Sequence, residues 1–248
     1  HGARAFAELG TGQSRGTKTF ALAGKVVRGG LIEVPMGTPL KEIVENIGGG
    51  MQNGRKLKAV QVGGPSGGCV PAALADTRVD YDELVGAGAI MGSGGMVVLD
   101  ETDCMVDIAR YFLSFTQEQS CGKCTFCRIG TKRMLEILNN LCEGRGRKGD
   151  VEKLKLLARQ IRKGSLCQLG GTAPNPVMST ITHFPEEYEA HERGICPALK
   201  CRALIEYRIG DECIGCTRCA QACPVEAIEM APYHRHEIDQ TTCTRCHA

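Results

Sequence analysis

No run of about 18 apolar residues occurs in this 248-residue chain, which excludes a membrane-spanning helix. No excess of one charge occurs either. The 30 Lys and Arg are set against 28 Asp and Glu, a net charge of +2, so no broad basic field points to nucleic acid. Signal-peptide features are missing, and because the chain begins at His1 rather than Met, its true start is expected to lie upstream. No Ser-His-Asp set and no paired carboxylates stand out as a hydrolytic centre. The Gly63–Gly68 stretch lacks the following Lys and the strand–loop–helix context of a phosphate cradle, and it reads as a tight turn. Arg145-Gly-Arg-Lys148 reads as a solvated turn between helices. With 42% hydrophobic residues the chain is not disordered, and its length allows one large domain or two to three small ones.

Cysteine is what the chain has in quantity: 15 residues, of which only Cys69 and Cys104 lie in the first 120. A secreted disulfide scaffold would be short and even in its count. This chain is long, odd in its count, and sets cysteines at two-residue gaps, which points to metal binding in a reducing, cytoplasmic compartment.

The pattern divides the chain into an α+β region, a helical region and a cysteine-rich end. Residues 17–101 predict strands at Thr19–Ala23, Leu31–Val34, Leu57–Val62 and Met96–Leu99. Between them a helix is expected, capped by Thr38 and carrying Leu40, Ile43, Val44 and Ile47 on one face. That order is the one of a β-grasp, ubiquitin-like fold. Residues 102–192 carry three apolar stripes (Met105, Ile108, Ala109, Phe112; Met134, Ile137, Leu138, Leu141; Leu154, Leu157, Ala158, Ile161), which predict an antiparallel helical bundle. Thr102 is expected to cap its first helix, leaving Asp100 and Glu101 as surface charges. Residues 193–248 hold eight cysteines and few bulky apolar residues, so bound metal must supply the cohesion.

Cys121-Gly-Lys-Cys124-Thr-Phe-Cys127 places three thiolates where a loop wraps one face of a [4Fe–4S] cubane, and Cys167 is the candidate fourth ligand. The helix beginning there favours an anionic cluster. A zinc site is the alternative, although zinc usually pairs two knuckles. Cys213-Ile-Gly-Cys216-Thr-Arg-Cys219-Ala-Gln-Ala-Cys223-Pro is the bacterial ferredoxin run, in which the fourth Cys ligates the other cluster. A second run opens at Cys243 and Cys246, so one cluster is expected on Cys213, Cys216 and Cys219 and another on Cys223, Cys243 and Cys246. The 30-residue offset places the next cysteines at 249 and 253, and the chain is therefore expected to be truncated inside the motif. Ile209 and Ile238 are expected in short strands shielding the clusters. Cys196 and Cys201 suit a zinc knuckle with His191 or His183, or else are two buried thiols. Cys69, Cys104 and Cys142 read as buried thiols packing as small hydrophobes.

Gly16–Gly24, Gly63–Gly68, Ser120-Cys-Gly-Lys-Cys-Thr-Phe-Cys-Arg-Ile-Gly130 and Cys167-Gln-Leu-Gly-Gly resemble the flavin-bearing, NADH-oxidising subunit of respiratory complex I over about residues 1 to 190. The ferredoxin run after Cys196 is similar instead to β subunits of NAD(P)-linked, electron-bifurcating iron hydrogenases and related formate dehydrogenases. The resemblance implies FMN and NAD(P)H bound by a domain upstream, of which residues 1–16 would be the end. It implies a [4Fe–4S] bundle near the flavin, with Gln168 and Leu169 approaching the FMN. The partners it implies are a thioredoxin-like [2Fe–2S] subunit, a catalytic hydrogenase or formate dehydrogenase subunit, and soluble ferredoxin. The function expected is electron transfer between FMN and partner redox subunits. The competing reading is a zinc-stabilised assembly module without a redox role.

Overall fold

A computed structural model describes residues 2–246 of the chain. A short helix, α1 (Gly2–Ala7), precedes a five-stranded sheet of β1 (Thr17–Gly24), β2 (Gly30–Pro35), β3 (Leu57–Val62), β4 (Gly68–Pro71) and β5 (Gly95–Asp100). The strands lie in the order β2-β1-β5-β3-β4; β1 and β5 run parallel, with Ala21 opposite Gly95, and every other neighbouring pair is antiparallel. Along β1 the inward Phe20 and Leu22 alternate with exposed Thr19, Ala21 and Ala23, the period-2 pattern of a strand with one covered face. By contrast Ala59, Val60, Gln61 and Val62 of β3 are all buried. One face of β3 joins the core of the sheet, and on the other Ala59 meets Cys69, Leu99 and Met105 against the helices that follow.

Leu40, Ile43 and Val44 seat the crossing helix on the sheet as the sequence predicts. That helix, α2 (Leu40–Glu42), runs on as a π-helical turn over Ile43–Ile47. Thr38 does not cap it. Its hydroxyl donates to the Pro35 carbonyl at 2.8 Å, and Pro39 takes the cap position without a side-chain bond. Strand β4 lies outside the expected strands; the Gly63–Gly68 turn closes a β3–β4 hairpin, in which a Cβ on Gly67 would stand 1.8 Å from the Val62 carbonyl oxygen. A short helix, α3 (Tyr81–Gly86), follows, with Asp80 accepting from the Asp82 N–H.

The helices α4 (Met105–Glu118), α5 (Thr131–Cys142), α6 (Asp150–Gly164), α7 (Gln168–Thr172), α8 (Asn175–His183) and α9 (Pro185–Glu192) pack together next. Met134, Leu138, Leu141, Leu154, Ala158 and Ile161 from the predicted stripes line their common core. Burying each Leu, Ile or Met side chain there contributes roughly 1.5–3 kcal/mol. The Cys104 sulfur, not Thr102, caps α4, accepting from the Asp107 N–H at 3.5 Å. Thr102 donates its hydroxyl to Asp100 instead. Asp100 is not a surface charge: it is 1% exposed. Burial pushes its carboxyl up, yet hydrogen bonds from Lys25, Thr102 and Arg55 outweigh that and hold it well below the usual carboxylate range. β5 ends beneath two cations, which the local sequence around Asp100 does not reveal.

An ion pair joins sheet and helices. Lys58 of β3 lies 2.5 Å from Glu187 Oε1 of α9, and Glu187 Oε2 accepts from the Met105 N–H at 2.9 Å. Removing one partner of a buried pair costs about 3–5 kcal/mol, and Glu187 is nearly enclosed. Lys58→Ala is therefore expected to lower unfolding stability by about 3 kcal/mol, read from the urea midpoint at unchanged m-value. Combining Lys58→Met with Glu187→Gln recovers most of the loss if the orphaned charge is its cause; an unaltered midpoint in Lys58→Ala refutes the argument.

After α9 regular structure thins. A 3-10 turn (Arg202–Leu204), helix α10 (Arg218–Ala222) and a single antiparallel bridge, Ile228 to Ile238, are what the cysteine-rich end provides among the described residues. Ile209 sits in no strand, so of the two expected shielding strands only the bridge at Ile238 forms. Short apolar stretches between ligand loops leave no length for a ladder. The outer ends of the expected 1–16 and 193–248 segments, His1 and His247–Ala248, lie outside the described residues.

Candidate metal centres

Cys121, Cys124 and Cys127 stand on the loop that winds into a π-helical turn (Phe126–Gly130) and then α5. The Arg128 N–H donates to the Cys124 carbonyl, and the Thr131 hydroxyl to the Cys127 carbonyl at 2.6 Å, fixing the start of the helix against the loop. Cys167, immediately before α7, is brought to the same place. Burial pushes the Cys127 thiol up, and the charges of Cys124, Cys167 and Cys121 beside it push it further. The backbone N–H groups of Leu166 and Cys127 point at Cys124 and hold its thiol down. Gly170 permits this closeness, since a Cβ there would lie 2.2 Å from Ser165 Oγ and 3.2 Å from Cys127 Cβ. Ser165 Oγ lies beside Cys124 but is buried without a partner at hydrogen-bonding geometry. Four thiols brought together, with backbone N–H groups aimed at Cys124, the Ser120 hydroxyl beside Cys127 and a spare buried hydroxyl at Ser165, fit a sulfide-rich, anionic group.

Gln168 and Leu169 follow directly and line an open cleft with Pro65, Ser66 and Phe115. This is where the Gly63–Gly68 turn meets the helices; the Asn175 amide donates to the Ser66 carbonyl at 3.1 Å.

The second centre was only half legible. Cys196, Cys201 and His191 come together as the sequence suggests, and Cys104 joins them; the four are buried and their donor atoms all lie within 4.8 Å of one another. His191 Nε2 is 3.3 Å from Cys104 Sγ and 3.4 Å from Cys201 Sγ, and the two sulfurs are 3.8 Å apart. A tetrahedron with about 2.3 Å metal–sulfur bonds has an edge of about 3.8 Å. His191 Nδ1 donates to the Glu187 carbonyl at 2.7 Å, which leaves the Nε2 lone pair for the centre. The Cys104 and Cys201 thiols donate toward Cys196 and hold it far below the ordinary thiol range. Cys142, at the end of α5, touches Cys201. Cys104 and Cys142 are thus neighbours of this centre rather than isolated core thiols, whereas Cys69 is fully buried, donating to Gln61. His183, the other candidate, lies instead 3.4 Å from the Ala87 carbonyl. Cys104 escaped sequence reading because 92 residues separate it from Cys196, and no spacing motif spans a gap bridged only by helix packing.

In the cysteine-rich end the 30-residue repeat is visible in the backbone. Gly215 and Arg245 occupy equivalent positions in the two runs and both take positive φ, 70° and 55°. Cys219, Cys223, Cys243 and Cys246 line one cavity with Ile228 and Ile238, while Cys213 stands beside the buried His236. Backbone N–H groups of His236 and Gly215 lower the Cys213 thiol to about 7. Among the described residues the buried side-chain polar atoms without partners are Ser165 Oγ, His236 Nε2, Gln240 Oε1 and Arg245 Nε. Every one lies in a cysteine-bearing region, as expected where an inorganic group completes the hydrogen bonding.

A mixed sheet, a helical layer with a CxxCxxC loop, and a ferredoxin-type run define an iron–sulfur protein. The NADH-ubiquinone oxidoreductase-F iron-sulfur binding region matches residues 107–191, the SLBB domain residues 19–70, and the 4Fe-4S binding domain residues 207–229. The chain is 50% identical over 238 residues to the NADP-reducing hydrogenase subunit HndC of Solidesulfovibrio fructosivorans, covering 95% of this chain and 49% of that protein. It is 39% identical over 193 residues to an NADH-quinone oxidoreductase subunit of Rhizobium meliloti (strain 1021), covering 77% of this chain and 46% of the other. The crystal structure of an NAD+-reducing [NiFe]-hydrogenase in the air-oxidized state superposes with TM-score 0.69 at 33% identity, over 77% of this chain and 32% of that one. Over 77–95% of its length the chain is thus similar to subunits of an NADP-reducing hydrogenase and of NADH-quinone oxidoreductases. It spans about half the length of the curated relatives it matches.

Proposed function

We propose that the chain is the electron-transfer portion of an NAD(P)H-linked flavin and iron–sulfur oxidoreductase subunit. The observation that carries this reading is the convergence of Cys121, Cys124, Cys127 and Cys167 beside the open Gln168–Leu169 cleft. In this reading the four thiols hold one [4Fe–4S] cluster, Cys213, Cys216 and Cys219 supply three ligands of a second, and Cys223, Cys243 and Cys246 three of a third. Such clusters supply one-electron transfer. The chain's own residues set their spacing, bury the Cys127 ligand while Cys121 and Cys167 stay exposed, and aim backbone N–H groups at the Cys124 and Cys213 sulfurs. Gln168 and Leu169 would line the cleft that receives FMN, which would supply electrons taken from NAD(P)H. The sheet at 17–101 is taken as a β-grasp domain, 102–192 as the cluster bundle and 193–248 as the ferredoxin-like domain.

Cys104, His191, Cys196 and Cys201 suit zinc: four donors, closed and buried, with no open position for a substrate. Zinc there ties the cysteine-rich end to α4 and α9. The partners proposed are a thioredoxin-like [2Fe–2S] subunit, a catalytic hydrogenase or formate dehydrogenase subunit, and soluble ferredoxin, in the cytoplasm. Among the described residues no helix is long and apolar enough to cross a membrane.

Metal and acid-labile sulfide analysis of anaerobically purified protein tests the reading. Iron matched by sulfide, in a brown protein bleached by dithionite, is expected together with one zinc per chain. Zinc alone in a colourless protein would sink the redox assignment and leave an assembly module.

A further inference from the structure

The turn formed by residues 231–236 is laid directly on the first ferredoxin-type loop. The Tyr233 N–H donates to the Gly215 carbonyl at 3.0 Å. A Cβ on Gly215 would stand 2.6 Å from Tyr233 Cα and 2.7 Å from His234 N, so at φ 70° only glycine admits this approach. Arg235 clamps the turn from the other side, with Nη1 2.5 Å from Asp211 Oδ1 and Nη2 donating to the Ile209 carbonyl at 3.2 Å. The result is a histidine held in place by its neighbours: His236 is 3% exposed, and its Nδ1 lies 3.7 Å from Cys213 Sγ. Its Nε2 is buried and meets no partner.

Two roles are open to an imidazole at such a place, ligand or hydrogen-bond donor. Terminal ligands of a cubane sit on different irons and stand further apart than an N–H···S bond. The Nδ1–Sγ separation suits the bond, not two neighbouring ligands. An iron-bound thiolate carries no proton and only accepts, so Nδ1 must carry the hydrogen. A donor to cluster sulfur stabilises the more negative, reduced state.

Resting on the assignment of Cys213 as a cluster ligand, we infer that His236 donates its Nδ1–H to the iron-bound Cys213 sulfur and thereby raises the reduction potential of that cluster. It is a positioning residue that acts through Cys213 and binds no iron.

EPR-monitored redox titration of the cluster-loaded protein tests this directly. His236→Leu is expected to move the reduction equilibrium of one ferredoxin-type cluster about tenfold toward the oxidised form, about 59 mV lower for one electron. Iron and sulfide contents stay at the parent level, and His236→Gln, which keeps an N–H donor, restores most of the shift. An unmoved potential in fully loaded His236→Leu protein overturns the proposal. Loss of a cluster's iron in both variants does so too, because that is the behaviour of a ligand. Where Cys213→Ser leaves the number and form of the parent's cluster signals unchanged, the ligand assignment itself falls, and the inference with it.

Discussion

Cys104→Ser protein is expected to purify without zinc and to melt far below the parent. Serine preserves the acceptor that caps α4, since a hydroxyl serves an N-cap well, so the substitution isolates the missing thiolate. The consequence is large because the four donors are buried and closed, and Cys201, His191 and Cys196 would be left as polar groups without their common partner. Structural zinc contributes about 10–16 kcal/mol of apparent binding free energy in zinc-dependent peptides. The helices have an apolar core of their own in Met134, Leu138, Leu154 and Ile161, so the expected outcome is detachment of the segment 196–205 and a lowered main transition rather than global unfolding. Metal analysis with calorimetry reads both effects. Cys69→Ser, at an equally buried thiol outside the centre, keeps its zinc and serves as the control. Full zinc occupancy in Cys104→Ser would show that Cys104 only caps its helix.

Replacing Cys167 by Ala is expected to remove one [4Fe–4S] cluster, about four irons per chain. The EPR signal of the bundle cluster vanishes while the ferredoxin-type signals stay. The selectivity follows from position: Cys167 opens α7 next to Cys124 and Cys127, whereas the ferredoxin-type cysteines lie in the segment after α9. Cys142→Ala, at the far end of the same α5 helix, retains every cluster. Unchanged spectra in Cys167→Ala would assign the fourth ligand elsewhere, and loss of all signals would mean that the clusters assemble interdependently.

Spacing carried most of the site that was legible in advance. A CxxCxxC loop and a ferredoxin run are local devices; their geometry is written within about ten residues, so Cys121 to Cys127 and Cys213 to Cys223 could be read without a fold. Cys167 lies forty residues further on, so no local spacing ties it to that loop and only the packing of α7 beside it does. The 30-residue repeat was read from cysteine spacing alone, and its backbone counterpart is the shared positive φ of Gly215 and Arg245. At three positions the departures share one physical origin. Thr38, Thr102 and Asp100 were assigned from local preference, and each found a stronger partner that the chain brings from elsewhere: the Pro35 carbonyl for Thr38, the Asp100 carboxylate for Thr102, and Lys25 with Arg55 for Asp100 itself.

By itself the sequence determined the strand and helix periods, the helix-start cluster loop and the paired ferredoxin runs, because each depends on residues within a turn or two of one another. Only the tertiary structure decided which distant groups meet. Packing α4 against α9 carried Cys104 to His191, Cys196 and Cys201, and packing α9 against β3 gave Glu187 its lysine. The turn at 231–236, laid on Gly215, carried His236 to Cys213. Those meetings follow from buried surface and close backbone approach across many residues, which no local spacing records.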